Sequence, residues 1–482
     1  MDIIQIQKIN EVYNKIIAEP SIVMELSEYF TFDVPGAKFM PAYRNKFWDG
    51  KLRLLSPLNC LLYAGLNRYI EEFAKKRDYV VEYLTEFPDE EFSIKEAEDF
   101  IKALNPKMQP RDYQMDAFIH AVRNKRSLLL SPTASGKSFI IYLLVRYYAE
   151  RTLIIVPTTS LVSQLASDFA DYGFNSDALV HRIYSGQDKL STKPITISTW
   201  QSIYKMPKEF FKQFNVVIGD EAHLFKAKSL TNILTKLEDC QYRFGFTGTL
   251  DGSQTHKLVL EGLFGPVRKI ISTAELIEKK HLADFKIKAI VLKYPDHERK
   301  TISNSDFQSE IDFLVRLEAR NKFIRNLALS LQGNTLLLFQ FVEKHGKELY
   351  KNIAAEAPDR KVFFVSGSVS GEEREEIRKI VEKEENAIIV ASYGTFSTGV
   401  NIRNLHNIIF SSPSKSRIRN LQSIGRGLRK SETKTESTLF DIADDLSWKT
   451  KKNFTLLHFM ERVKIYNEEK FNYKIYNVEL SI

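Results

Sequence analysis

Lys137 and Ser138 close the stretch Ser131-Pro132-Thr133-Ala134-Ser135-Gly136-Lys137-Ser138, whose residue types can hold a polyphosphate. A tight loop of this composition turns backbone N–H groups inward at a helix N-terminus, where unsatisfied donors and the macrodipole favour anionic oxygens. Lys137 then reaches the β and γ phosphates, and Ser138 offers its hydroxyl to a Mg2+ ion that bridges the same oxygens. Ser131 stands at the first glycine position of the G-x-x-x-x-G-K-[ST] pattern, so a polar strand-to-helix loop explains the stretch as well. Roughly 80 residues later comes Asp220-Glu221-Ala222-His223. Asp220 suits coordination of the magnesium, and Glu221 suits orientation and deprotonation of an attacking water. Two adjacent carboxylates at the end of an apolar run are costly to bury unless a cation compensates them.

Each cluster needs a strand to deliver it. Ser127 to Leu130 reads as a short buried strand ahead of the loop, Phe139 to Val145 as the helix after it, and the run from Phe214 as the strand carrying the carboxylates. From about Pro106 onward, apolar runs alternate with helical periodicity, the pattern of a doubly wound parallel sheet. Arg111 and Gln114 precede the loop, and the Gln114 carboxamide can offer a donor and an acceptor to the N7 and N6 edge of adenine. Pro157 and Thr158 end one strand; Ser198, Thr199 and Trp200 end another. Hydroxyls there can bond nucleic-acid phosphates, though capping of the following helix is an equally good local explanation. Thr247 and Thr249 flank a glycine at the end of a further strand.

With 482 residues and 43% hydrophobic side chains, the chain has room for roughly three domains. No signal peptide or membrane-length apolar run is visible, so a cytoplasmic setting is expected, the host's cytoplasm if the chain is viral. The two cysteines, Cys60 and Cys240, are far apart and support neither a disulfide framework nor a zinc site. A net charge of +8 suits a polyanionic partner without requiring one. Residues 1–100 read as a small α+β module. Its middle interleaves Lys38, Arg44, Lys46, Lys51 and Arg53 with aromatics including Trp48. Cations there can neutralise phosphates while rings stack on bases, or the segment is a hairpin with its rings in the core. Asp89, Glu91 and Lys95 do not have the spacing of a nuclease centre and read as an acidic linker.

The ordered series Gln114, Ser131 to Ser138, Pro157-Thr158, Asp220-Glu221-Ala222-His223 and Thr247-Gly248-Thr249 resembles the first motor domain of superfamily 2 helicases. The likeness continues to about residue 445. Tyr393 to Ile402 matches the family's motif V, with Gly399 in place and Asn401 where many relatives carry aspartate; Gln422-Ser423-Ile424-Gly425-Arg426-Gly427-Leu428-Arg429 matches motif VI. The resemblance implies two tandem RecA-like parallel-sheet domains, 106–284 and 285–445, after the N-terminal accessory module. The tail, 446–482, has helical spacing of its basic, aromatic and acidic residues and is expected to pack as a helical segment on the second domain. It implies ATP and Mg2+ as cofactors, with Lys137, Glu221, Arg426 and Arg429 acting on the phosphoryl group. His223, Thr247, Thr249 and Gln422 would couple hydrolysis to motion, and Ser366 and Thr395 would join the grip on nucleic acid.

The function so implied is an ATP-dependent DNA helicase that unwinds or branch-migrates forks, Holliday junctions and R-loops. Its partners are single-stranded and branched duplex DNA and RNA–DNA hybrids, and the chain works as a monomer or weak oligomer. Two rival readings stand beside it. One is a duplex-translocating motor subunit of a restriction-type complex; the other is an annealing module with a vestigial nucleotide site.

Overall fold

A computed structural model of the chain describes residues 2–85, 91–132, 134–184, 188–226, 228–250, 253–395, 402, 404–412, 416–428, 434 and 436–480, without the side chains of 226, 255, 371, 417–419, 422 and 426. The chain divides into two compact units, Met1–Ser131 with Gly136–Ile270, and Ile271–Ile482 with the short stretch Pro132–Ser135.

The first unit opens with β1 (Ile3–Lys8), β2 (Tyr13–Ile17), β3 (Thr31–Asp33), β4 (Lys51–Arg53), β5 (Leu61–Tyr63) and β6 (Val80–Tyr83). Four of these make a sheet in the order β5-β2-β1-β6, while β3 and β4 form a separate antiparallel ribbon. Alternation in β1 puts Ile4 and Ile6 inward and Gln5 and Gln7 outward, as one covered face requires. There follow β7 (Arg126–Leu130), β8 (Thr152–Val156), β9 (Val180–Ile183), β10 (Ile195–Thr199), β11 (Val216–Asp220), β12 (Tyr242–Thr247) and β13 (Val267–Lys269). They form one parallel sheet, β13-β7-β12-β11-β8-β10-β9. Helices cover both of its faces, so strands such as β8 and β10 are buried along their whole length rather than on one face alone.

The small N-terminal sheet shares a single hydrophobic core with one face of this parallel sheet: Ile4, Leu62, Leu66 and Phe73 lie in the same cluster as Leu128, Leu153 and Phe264. The contact is close. A Cβ on Gly65 would lie 1.9 Å from the Glu261 carbonyl oxygen, and one on Gly262 would lie 2.7 Å from the Tyr63 side chain. Glu11 N–H donates to Glu238 O at 2.8 Å, and Arg126 Nη2 donates back to Glu11 O at 2.9 Å. Because backbone cannot step aside as a flexible side chain can, Gly65→Ala is expected to cost about 1–3 kcal/mol, read as a lower urea midpoint for the first unit. A null result would mean that the seam between the two sheets is loose. Helix Ile94–Leu104, started by a Ser93/Glu96 capping box, packs Ala97 and Ile101 with Phe118 on the opposite face of the parallel sheet.

The second unit contains β14 (Asp284–Lys293), β15 (Thr335–Phe339), β16 (Val362–Val365), β17 (Ile388–Ser392), β18 (Asn407–Phe410), β19 (Glu436–Asp445) and β20 (Asn472–Glu479). All are parallel, in the order β16-β17-β15-β18-β19-β14-β20. The expectation of a helical tail is corrected here: helix Phe454–Glu468 is followed by β20, the edge strand of the sheet, paired along β14. Its β-branched and aromatic residues, Tyr473, Ile475, Tyr476 and Val478, suit a pleated surface. Arg462 on that helix is fully buried and forms an ion pair with Asp441 of β19 at 2.8 Å, with the Tyr466 hydroxyl donating to the same carboxylate. Arg462→Met strands that carboxylate, and the expected loss is about 3–5 kcal/mol of stability, measurable as faster hydrogen exchange along β19. Unchanged exchange would show that the tail is not needed by the sheet.

Candidate active site

Strand β7 runs into the loop at Ser131, whose N–H donates to Thr247 O at 2.9 Å, and helix Lys137–Tyr148 leads out of it. Among the described residues of the loop, Ala134 at φ 66° and Gly136 at φ 79° take left-handed backbone. Gly136 is required: an added Cβ would lie 2.4 Å from Gln114 Nε2. The Gln114 side chain is buried, accepts from Arg111 N–H at 2.9 Å and donates to Gly136 O at 3.2 Å. The carboxamide that the sequence suggests for adenine therefore braces the loop in this geometry, and contact with a base edge requires exchange of one of these bonds. The Arg111 guanidinium bonds the Tyr113 hydroxyl at 2.8 Å. Ser135 Oγ closes a turn onto Pro132 O at 2.7 Å.

The carboxylates arrive from the neighbouring side of the same sheet edge. Phe225 and Phe264 crowd Gly219, where a Cβ would lie 2.9 and 2.7 Å from their rings. Glu221 then turns left-handed, φ 51°, a conformation that costs a non-glycine residue about 1 kcal/mol or more. The turn aims Glu221 Oε1 at Lys137 Nζ, 3.3 Å away. Glu221 Oε2 is buried with no hydrogen-bond partner among the described residues, 3.4 Å from His223 Nδ1. That nitrogen lies 3.0 Å from Thr247 Oγ1, and the Thr247 hydroxyl donates to Thr249 O at 3.0 Å. His223 thus joins the carboxylate turn to the end of β12. Burial pushes the Asp220 carboxyl up to about 6, against the pull of Lys137. Burial acts upward on Glu221 too, but the Lys137 ammonium and His223 outweigh it and hold that carboxyl below its ordinary range.

One contact has no counterpart in the sequence reading. Ser138 Oγ lies 2.8 Å from the Tyr172 hydroxyl, and Tyr172 is buried against Phe139 and Tyr142. Nothing in the spacing of Tyr172 marks it, because the pair is made only when helix Thr159–Asp171 packs beside helix Lys137–Tyr148.

The strand-end residues proposed for nucleic acid divide by exposure. Thr158 Oγ1 bonds Ser160 Oγ at 3.0 Å on an open helix start after Pro157. Ser198 and Thr199 are buried, bonded to Thr199 O and Ser202 Oγ, and half-buried Trp200 packs edge-on to Tyr204. In the second unit, Ser366 bonds Ser368 and Thr395 accepts from Ser392, both buried at ends of β16 and β17. In the N-terminal module Lys38, Arg44, Lys46, Lys51 and Arg53 are exposed, as are Phe39 at 68% and Phe47 at 86%, so the rings do not form a core. Trp48 is the exception, half-buried and donating to Lys51 O at 2.8 Å. Thr133, Gly399 and Arg429, with the side chains of Gln422 and Arg426, lie outside the described residues; the backbones of 422 and 426 are on helix Arg417–Gly427.

The chain is similar to known proteins along its length. Residues 4–83 match the family described as DNA helicase UvsW, N-terminal; residues 107–252 match Type III restriction enzyme, res subunit; and residues 318–431 match Helicase conserved C-terminal domain. The ATP-dependent DNA helicase uvsW of Enterobacteria phage T4 is 37% identical over 493 residues, covering 97% of each chain. The crystal structure of T4 UvsW aligns over 100% of both chains with a TM-score of 0.52 and 35% identity. The DNA 3'-5' translocase XPB2 of Sulfurisphaera tokodaii is 27% identical, over 70% of this chain and 82% of the relative. With two tandem RecA-like sheets and a whole-length relative above one-third identity, the chain belongs to the UvsW family of ATP-dependent DNA helicases.

Proposed function

We propose that the chain is a DNA-stimulated ATPase that moves along DNA and remodels branched substrates: forks, four-way junctions and displaced loops containing RNA–DNA hybrid. The observation that carries the chemistry is the meeting of Lys137 Nζ and Glu221 Oε1 at 3.3 Å, beside Asp220 and Ser138. Arrival of a triphosphate draws the ammonium from Glu221 to the phosphate oxygens. Freed of that charge, Glu221 regains basicity and takes the proton of the attacking water at Oε1 or Oε2. Asp220 and Ser138 Oγ would hold Mg2+, and the fit rests on the donor set: a hydroxyl and a buried carboxyl whose ionisation needs a cation. When bound, the ion neutralises charge on the β and γ phosphates. Arg426 and Arg429 are proposed to stabilise the transferred phosphoryl group. Thr158 and the exposed cations of residues 38–53 are proposed to hold backbone phosphates, with Ser366 and Thr395 shaping the strand ends of the second sheet.

No helix among the described residues is long and apolar enough to cross a membrane. The chain is proposed to work in a cytoplasm, as a monomer or weak oligomer. The test is one ATPase comparison, with single strands, blunt duplex, forks, four-way junctions and RNA–DNA hybrids as activators, run beside displacement of a labelled strand. Stimulation greatest with branched DNA, and displacement by the purified chain alone, support the reading. Stimulation by duplex without displacement favours a restriction-type translocase, to which the res-subunit match of residues 107–252 lends weight. Hydrolysis indifferent to all DNA would refute both.

A further inference from the structure

Within the first unit, a cleft of about 620 Å3 lies where the N-terminal sheet meets helix Lys228–Lys236. One wall is the Tyr13–Tyr63 pair, stacked with ring centroids 5.4 Å apart; the rest of the floor is leucine and valine. Arg53 and Lys228 stand among its lining with Asn59 and Thr231, and no carboxylate is among the described lining residues. The volume is within the roughly 300–1,000 Å3 of ligand clefts. Arg53 is the last residue of β4, and it is positioned by the Asp49 carboxylate. The exposed basic and aromatic segment that begins at Lys38 therefore ends at the cleft.

We propose that this cleft takes an unpaired nucleotide from a strand bound along residues 38–53, with its base against the tyrosine wall and its phosphate between Arg53 and Lys228. The inference rests on the DNA-motor reading above and adds a site to it. Aromatic walls stack with any base, at about 1–3 kcal/mol each, and flanking cations follow the backbone. The lining combines apolar and aromatic surface with Lys228 and with Arg53, whose guanidinium Asp49 orients, which suits a phosphate carrying a flat ring. A paired base has both faces covered by its neighbours in the duplex and cannot enter, so the cleft distinguishes unpaired from paired DNA.

Its position also gives the occupant a route to the nucleotide site. Lys228 and Thr231 belong to the first helix after Asp220-Glu221-Ala222-His223, and the Thr231 hydroxyl donates to Phe225 O at 2.9 Å. The Phe225 ring packs edge-on to Phe264, centroids 5.3 Å apart, and both rings press on Gly219 beside Asp220.

The test uses the full chain and oligonucleotides carrying a single 5-iodouracil, placed in turn in a single strand, at the unpaired arm of a fork and within duplex. Irradiation should yield cross-linked peptides containing Tyr13 or Tyr63 from the first two and not from the third. Saturated binding, verified by anisotropy, with cross-links only elsewhere would overturn the site while leaving the motor reading intact. Equal cross-linking of the paired base would also overturn it. Competition by an acidic peptide but not by unlabelled oligonucleotide would assign the cleft to a protein partner and overturn it too. Failure of every oligonucleotide to bind would defeat the motor reading and this inference together. In parallel, Lys228→Glu should weaken single-strand binding about 3–10-fold and reduce the salt slope by about one, with blunt-duplex affinity unchanged; equal loss on duplex would argue against an unpaired-base site.

Discussion

Lys137→Ala is expected to lower DNA-stimulated ATP hydrolysis by about 10³-fold while leaving DNA affinity within a factor of two or so. The size follows from what the ammonium does in a half-buried site. Lys137 is the one cation among the described residues within ion-pair distance of Glu221 Oε1, and it starts the helix whose N-terminus faces the loop. Its loss removes a positive charge where negative charge develops on the transferred phosphoryl oxygens, an interaction worth several kcal/mol in a pre-organised site. DNA binding should survive, because the exposed cations at Lys38, Arg44, Lys46 and Lys51 are on a different module of the first unit. Steady-state ATPase with saturating DNA, beside fluorescence anisotropy of a labelled fork, separates the two effects. Stimulated hydrolysis at wild-type rate would show that the loop is not the nucleotide site.

Glu221→Gln should bind ATP at least as well as the parent and turn it over about 10²–10⁴ times more slowly. Glutamine fills the same volume and keeps an acceptor toward Lys137, so the left-handed turn at φ 51° has no new reason to collapse. Removal of the neighbouring negative charge also eases ionisation of Asp220, whose carboxyl burial and Glu221 both push upward. What the amide cannot do is accept the proton of the attacking water. Single-turnover hydrolysis with equilibrium binding of ATP in the same buffer reads kcat apart from affinity. If turnover is unchanged, Glu221 is not the base, and His223 at 3.4 Å becomes the next group to test.

Strands such as Thr152–Val156, Val216–Asp220, Thr335–Phe339 and Ile388–Ser392 could be read from the chain because both faces of a parallel sheet are covered, which leaves an unbroken apolar run bounded by polar residues. The loop and the Asp220-Glu221 turn were legible for a related reason: each is a few contiguous residues whose backbone path is local. The N-terminal sheet was harder, since β1 pairs in parallel with β6, far along the chain, and each strand is short. β20 was hidden in a tail of mixed pattern whose burial is that of an edge strand.

Residue types and their order therefore determined the two parallel sheets, the strand-to-helix loop ahead of Lys137 and the place of Asp220 at the end of its strand. Tertiary packing decided the rest. It turned Gln114 onto Gly136, set Tyr172 against Ser138 across 34 residues, joined Tyr69 to Glu261 across 192, and opened the tyrosine-walled cleft beside Lys228. Periodicity reports which face of an element avoids water. Which other face it meets depends on shape and close approach, as at Gly65, where only the absence of a side chain lets the backbone meet that of Glu261 and Gly262.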